Sequence, residues 1–114
     1  MATRPINIEG INPVDNSLIL SDHGSTTANP TDKIQWNILN NSGVASITGI
    51  VDNSTIDIFN PDPHVEPNSS SWEGTVNGNI TASTEETYSI IYTKTGSAEV
   101  YRHDPIIQIN PKSS

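Results

Sequence analysis

The chain has 114 residues, of which 32% are hydrophobic, 16% are charged and none is cysteine. Thirteen acidic and five basic residues give a net charge of −8, so we expect neither nucleic acid nor an anionic membrane surface as a partner. The lack of cysteine excludes disulfides, thiolate nucleophiles and cysteine-ligated zinc or iron–sulfur centres.

Short apolar segments with two-residue alternation predict β-strands along the whole chain. The clearest is DKIQWNIL, in which Ile34, Trp36 and Ile38 share one face, and this pattern places Trp36 in the core. No segment shows a helical period long enough to compete. The other predicted strands are, in chain order, INIEGI, SLIL, VASITGIV, TIDIFN, SWEGTV, TYSIIYTK, SAEVY and PIIQINP.

Turn residues separate these segments at intervals of roughly eight to twelve residues, a spacing typical of antiparallel sandwiches and barrels. The Asn-Gly pair in Val76–Asn79 predicts a two-residue hairpin, and Thr93–Gly96 predicts a second hairpin. Ser21–Thr31 and Asn60–Ser71 are predicted to be long loops. We therefore expect an all-β chain, an antiparallel Greek-key β-sandwich forming a single domain over residues 1–114.

Two passages resemble the cupredoxin-like family of Greek-key sandwiches, although an immunoglobulin-like strand order fits the same pattern. ANPTDKIQW (Ala28–Trp36) is similar to that family's polar turn followed by an aspartate and an alternating strand. ETYSIIYTKTGSAEVYRHDPIIQINP (Glu86–Pro111) resembles its last strands and the ligand loop between them.

The resemblance implies a copper site, but the residues do not supply its ligands. Blue-copper members of the family use two histidines, a cysteine thiolate and a methionine. This chain has no cysteine and a single methionine, Met1. Type-one copper is therefore excluded on ligand chemistry, and we expect a sandwich without a metal or other cofactor.

Three histidines, His23, His64 and His103, each have an acidic residue within two positions. They could share a metal if three loops met, but no two of them are spaced to coordinate from one element. Calcium would need carboxylates such as Asp22, Asp62, Glu66 and Asp104 to converge, and the chain lacks a local calcium loop pattern. We predict no metal site.

Catalytic patterns are also missing, since the chain has neither a Gly-x-Ser-x-Gly elbow nor a glycine-rich phosphate loop. We expect a non-catalytic module that binds another protein or a second copy of itself. The alternative is a carbohydrate-binding module or lectin that uses loop acids, amides and aromatic rings, for which the candidate exposed aromatics are Trp72, Tyr101 and Phe59. The candidate ligand-binding residues are Asp62, His64, Trp72, Tyr101, His103 and Asp104.

The pair His103-Asp104 has a simpler structural interpretation, as the end of one strand. Pro105 lacks a backbone donor and would turn the chain into IIQIN, which we predict to be an edge strand. The first ten residues, MATRPINIEG, contain no apolar signal segment, so we expect the chain to be cytosolic.

Overall fold

The computed structural model describes residues 3–53 and 55–111, and all the regular structure in these residues is β. No helix that is apolar and long enough to cross a membrane occurs in this part of the chain. The ten strands are β1 (Thr3–Ile11), β2 (Leu18–Leu20), β3 (Ser25–Ala28), β4 (Lys33–Ile38), β5 (Val44–Asp52), β6 (His64–Val65), β7 (Trp72–Thr75), β8 (Thr84–Lys94), β9 (Val100–His103) and β10 (Ile106–Ile109).

The strands form two packed sheets, which confirms the predicted all-β sandwich. Sheet A has the order β2-β1-β4-β7-β6. Sheet B has the order β3-β10-β8-β5, and β9 also pairs with β8. Both sheets are mixed, because β1 pairs with β4 and β3 pairs with β10 in parallel while the other pairs are antiparallel. The parallel pairs arise where the chain leaves a sheet and returns to it as a crossover.

The core follows from the alternation that predicts the strands. On β8 the side chains of Tyr88, Ile90 and Tyr92 are at most 1% exposed and point towards sheet A. The facing surface of sheet A contributes residues such as Ile34 and Trp36, both fully buried. Burying branched apolar side chains on both inner faces is what makes the two sheets pack as a sandwich.

Three aromatic side chains occupy the centre of this core. The rings of Trp36, Phe59 and Tyr88 meet edge to face in all three pairs, with centroids 5.7 to 5.9 Å apart. Trp36 Nε1 donates a hydrogen bond to the Tyr88 hydroxyl at 3.1 Å, so its buried N–H is satisfied. Burial raises the pKa of Tyr88 well above its usual range. The prediction that Trp36 lies in the core is confirmed. The candidacy of Phe59 as an exposed aromatic is wrong, because its ring is fully buried.

The turn before β4 is held by a buried carboxylate. Asp32 is 1% exposed, and its Oδ2 accepts hydrogen bonds from Arg4 Nε at 2.8 Å and from the Asn29 backbone N at 2.9 Å. A charged group can remain buried there because a cation and a backbone donor both contact it. The pair joins the start of β1 to the start of β4, which run side by side.

Two segment predictions are wrong because tertiary contacts override the local pattern. Ser21–Thr31 contains strand β3, whose small side chains Thr26 and Ala28 are buried beside β10 although the segment has no large apolar residue. TIDIFN forms no strand: Phe59 makes an isolated bridge with Val76, and Ile56 is 39% exposed. The predicted loop Asn60–Ser71 is irregular apart from the two-residue strand β6.

Two connection predictions also fail, whereas the hairpin between β8 and β9 is confirmed. The Asn-Gly segment Val76–Asn79 is not a hairpin, because it leads from β7 in sheet A to β8 in sheet B. IIQIN is not an edge strand, because β10 lies between β3 and β8. His103 does end β9, as predicted. After Pro105 the chain enters the interior of the sheet. There β10 pairs with the first half of β8, on the side where β9 pairs with its second half.

Candidate functional site

Four connections lie at one end of the sandwich. The strand directions bring together the turns that follow β1, β4, β6 and β8, since β1 and β4 run in one direction and the strands β2 and β7 run back. We call this surface the loop end. It consists of residues 12–17, 39–43, 66–71 and 95–99.

Hydrogen bonds connect the loop end across both sheets. The Thr95 backbone N donates to the Gly43 carbonyl at 2.9 Å, which joins the β8–β9 turn to the β4–β5 turn. Asn16, in the β1–β2 loop, accepts from the Tyr92 hydroxyl through its backbone carbonyl and from Lys94 Nζ through its side-chain oxygen. The loop of one sheet is therefore fixed to a strand of the other.

Local turn chemistry gives these loops their shape. Asn12 Oδ1 accepts from the Val14 backbone N at 2.9 Å, and Asp15 Oδ1 accepts from the Ser17 N at 3.0 Å. Asn16 and Asn41 adopt φ angles of 62° and 67°, which asparagine tolerates better than most residues. The Ser17 hydrogen bonds also lower the pKa of Asp15, so this acid is ionised at neutral pH.

The apolar side chains of the loop end point into solvent. Val14 is 90% exposed, although the loop that carries it is anchored through Asn16. Leu39, in the β4–β5 turn, is 40% exposed. An apolar side chain on an anchored loop loses little conformational freedom when it is covered, so the loop end is suited to contact a partner.

A shallow depression of about 550 Å³ is lined in part by Leu39. Its polar lining consists of amides and hydroxyls and includes no charged side chain, in a molecule with a net charge of −8. The polar side chains of the lining are Asn40, Asn41, Ser42, Ser70 and Thr95.

The six candidate residues from the sequence lie on three different surfaces. Asp62 and His64 are exposed at the β6 edge of sheet A, where His64 Nδ1 lies 2.9 Å from the Asp62 carbonyl oxygen. Trp72 pairs with Trp36 on the inner face of the same sheet and packs partly buried against the core. The other three candidates belong to β9 of sheet B or follow it directly.

Tyr101 points inward and is enclosed by its neighbours. Its ring stacks on Tyr92 with centroids 5.7 Å apart, Lys94 Nζ lies 4.5 Å from the ring centroid, and its hydroxyl donates to Glu99 at 3.0 Å. The Tyr101 ring therefore contacts Tyr92 and Lys94, and Trp72 is partly buried, so neither is the fully exposed aromatic platform that the lectin hypothesis favours.

His103 and Asp104 point to opposite faces of sheet B, as adjacent residues at the end of a strand do. His103 is half-buried on the inner side, and its Nε2 has no hydrogen-bond partner among the described residues. Burial lowers the pKa of His103, while Asp104, Asp22 and Asp15 oppose that change. Asp104 lies on the outer side and accepts from Ser89 and Arg102. The pair does not form a joint site.

Three charged side chains, Glu66, Glu73 and Lys33, interact on the outer face of sheet A. The hydrogen bond between the carboxyls of Glu66 and Glu73 raises the pKa of Glu66 and lowers that of Glu73. Lys33 Nζ, 2.9 Å from Glu73, stabilises the ionised partner. His64 lies opposite Glu73 in the β6–β7 pair. Within residues 3–53 and 55–111, no three side chains of histidine, cysteine, aspartate or glutamate are arranged to hold a metal ion.

The sequence did not identify the residues that shape the loop end, above all Asn16 and Val14. A signal was present, since NPVDNS places turn-forming residues between two apolar strands. Neither a protein-family model nor a curated protein matches the chain.

Proposed function

We propose that this chain is a non-catalytic binding module that recognises another protein through the loop end. The observation that carries the proposal is the anchored loop around Asn16, which holds Val14 90% exposed while Tyr92 and Lys94 fix the loop to the opposite sheet. Pre-organised loops bind with a smaller loss of entropy, and exposed apolar tips supply the buried contacts of a protein interface.

The charge of the chain supports a protein partner over nucleic acid. With thirteen acidic and five basic residues, the chain would repel a phosphate backbone. The resemblance to cupredoxin-like proteins remains a prediction, and the proposal does not depend on it.

Site-specific photo-crosslinking tests the proposed surface. A photo-reactive amino acid replaces Val14 in one protein and Thr81, an exposed residue at the opposite end, in the control. In extracts of the source cells, we expect the photo-reactive residue at position 14 to form a discrete adduct. Excess unlabelled wild-type protein should suppress this adduct, whereas excess Val14→Asp protein should not. Identical adducts from both positions would contradict the proposal.

The uncharged depression favours a second candidate, a neutral saccharide. Amides and hydroxyls such as those of Asn40 and Thr95 can both donate to and accept from sugar hydroxyls. This version relies on polar contacts, because Trp72 and Tyr101 are packed against the core. A glycan array probed with wild-type protein and with Asn40→Ala, each with and without calcium, tests it. Binding that is equal in both proteins, or absent in all four conditions, would eliminate this candidate.

A further inference from the structure

The outer surface of strands β5, β8 and β9 differs from the rest of this acidic molecule. It is the solvent side of sheet B, away from Tyr88 and Ile90. We call it the outer B face. Strand pairing and hydrogen bonds place on it Ser46, Thr48, Val51, Asn53, Ser89, Ile91, Thr93, Val100, Arg102 and Asp104.

Four polar side chains of this face form a closed ring of hydrogen bonds. Asn53 Nδ2 donates to Ser89 Oγ at 2.6 Å, and Ser89 Oγ donates to Asp104 Oδ1 at 2.6 Å. Arg102 then closes the ring, with Nε donating to Asp104 Oδ1 at 3.0 Å and Nη2 donating to Asn53 Oδ1 at 2.9 Å. The ring connects the end of β5, the middle of β8 and the end of β9.

The hydroxyls of the same face are paired in a similar way. Ser46 Oγ and Thr93 Oγ1 are 3.0 Å apart, and Thr48 Oγ1 donates to the Ile91 carbonyl at 3.3 Å. A polar group that already has its partner inside the protein loses little when water is removed. The outer B face can therefore be covered at a smaller desolvation cost than its polar composition suggests.

Apolar side chains lie between these paired groups. Val51 is 42% exposed, Val100 is 60% exposed, and Ile91 is partly exposed between them. Covering them provides the favourable free energy for an association.

The charges on this face complement themselves. Among the ten residues named, Arg102 and Asp104 are charged and their charges cancel, on a chain with a net charge of −8. Glu85 is exposed on the same side of β8, beyond them beside β10. Two copies would repel each other through most other surfaces. Around a two-fold axis, Arg102 of one copy can lie opposite Asp104 of the other copy, and the reverse pair then forms as well.

The edge of sheet B is less suitable for such contact. β5 is an edge strand, but its register shifts between Val44 and Ser46 and again between Ile47 and Gly49. Bulges of this kind disrupt the regular row of backbone donors and acceptors that a new strand would need. The face is thus favoured over the edge.

We propose that the outer B face packs against the same face of a second copy of this chain, around a two-fold axis that sets Arg102 of each copy opposite Asp104 of the other. This surface is separate from the loop end, so the inference stands or falls independently of the proposed function. A face of three strands is small, and we expect weak association that depends on concentration.

Sedimentation velocity on wild type, Val51→Asp and Ile19→Asp tests the inference. Ile19 is 48% exposed on β2 of the other sheet, so it controls for the new charge at an apolar position of similar exposure. Between about 10 µM and about 1 mM, wild type and Ile19→Asp should move from the monomer mass of 12.3 kDa towards twice that mass. Val51→Asp should associate about tenfold more weakly, because a carboxylate would be placed in the apolar part of the interface.

A spin-label measurement distinguishes loss of association from loss of folding. The chain has no cysteine, so Val51→Cys and Ile19→Cys each provide one labelling site in a folded protein. The distance between copies should be shorter at position 51 than at position 19. A wild-type chain that remains monomeric throughout the concentration range, or equal weakening by the two aspartate variants, would overturn the inference.

Discussion

The two ends of the sandwich are built in opposite ways. At the end away from the loop end, residues 29–32, 55–63 and 76–83 form what we call the closed end. Its segments are joined by backbone hydrogen bonds, such as Val76 N to the Asp32 carbonyl and Asn77 N to the Ile58 carbonyl, both at 2.8 Å. Ile58, Phe59 and Val76 are fully buried there. At the loop end, by contrast, Val14 is 90% exposed.

The closed end therefore contributes to the stability of the fold, whereas the loop end is available for recognition. Irregular backbone at the closed end is stabilised by burying large side chains, so these residues contribute to the core. The backbone at the loop end is held by turns and a few cross-sheet hydrogen bonds, and its apolar side chains remain available to a partner. Substitutions should therefore lower stability strongly at the closed end and weakly at the loop end.

The largest effect should come from Phe59→Ala. The ring is fully buried and contacts Trp36 and Tyr88, so its removal should lower the free energy of unfolding by about 3–5 kcal/mol. Urea unfolding measured by tryptophan fluorescence checks this value. Val65→Ala is the control, since Val65 is 50% exposed and should cost less than about 1 kcal/mol. Similar losses in both variants would show that the closed end is not part of the core.

Asp32→Ala should have the next largest effect. The substitution leaves Arg4 Nε and the Asn29 backbone N without their acceptor, at a cost of about 1–3 kcal/mol. Asp57→Ala, at an exposed residue of the same end, is the matched control. Chemical denaturation of the two variants at neutral pH compares them, and a difference near zero would argue against a structural role for the buried carboxylate.

A smaller effect should appear when the pH is lowered through the range in which the half-buried His103 titrates. Burial lowers its pKa below the usual 6.5, so the unfolded chain takes up the proton at a higher pH than the folded chain. The contribution of His103 to stability should be complete above pH 6.5 and be lost as the pH falls from 6.5 towards the folded pKa.

Unfolding curves for wild type and His103→Gln between about pH 8 and pH 5 isolate this contribution. Wild type should lose more stability than the variant on acidification. The raised pKa of Glu66 acts in the opposite direction, but it is common to both proteins and cancels in the difference. Parallel curves would show that the half-buried imidazole titrates without a cost to folding.

The smallest effect on stability should come from Val14→Ser. A side chain that is 90% exposed contributes little to folding, so the free energy of unfolding should change by less than about 0.5 kcal/mol. The same variant should nevertheless fail to suppress the adduct formed by the photo-reactive residue at position 14. If Val14→Ser lowers stability as much as Asp32→Ala does, the loop end belongs to the core and the comparison fails.

Local pattern predicted most of the strands in which apolar side chains alternate, although TIDIFN also alternates and forms no strand. Ile34 and Trp36 on β4 and Tyr88 to Tyr92 on β8 are buried as expected, because each strand was specified by its own residues. β3 was missed because Thr26 and Ala28 are buried through the parallel pairing with β10, a strand that is distant in the sequence. The arrangement of the candidate ligand-binding residues could not be predicted from local pattern, because Tyr101, His103 and Asp104 are divided between two faces of one sheet.

The sequence by itself determined the β-structure, the division of strand residues into inner and outer faces, and the exclusion of cysteine chemistry and type-one copper. These properties depend on residue type and on two-residue alternation, both of which are local. The tertiary structure decided which strands pair, that Phe59 fills the core from an irregular segment, and that Asn16 is anchored by Tyr92 and Lys94. Each of these depends on residues distant in sequence, whose contacts are set by how the two sheets pack and not by any short segment.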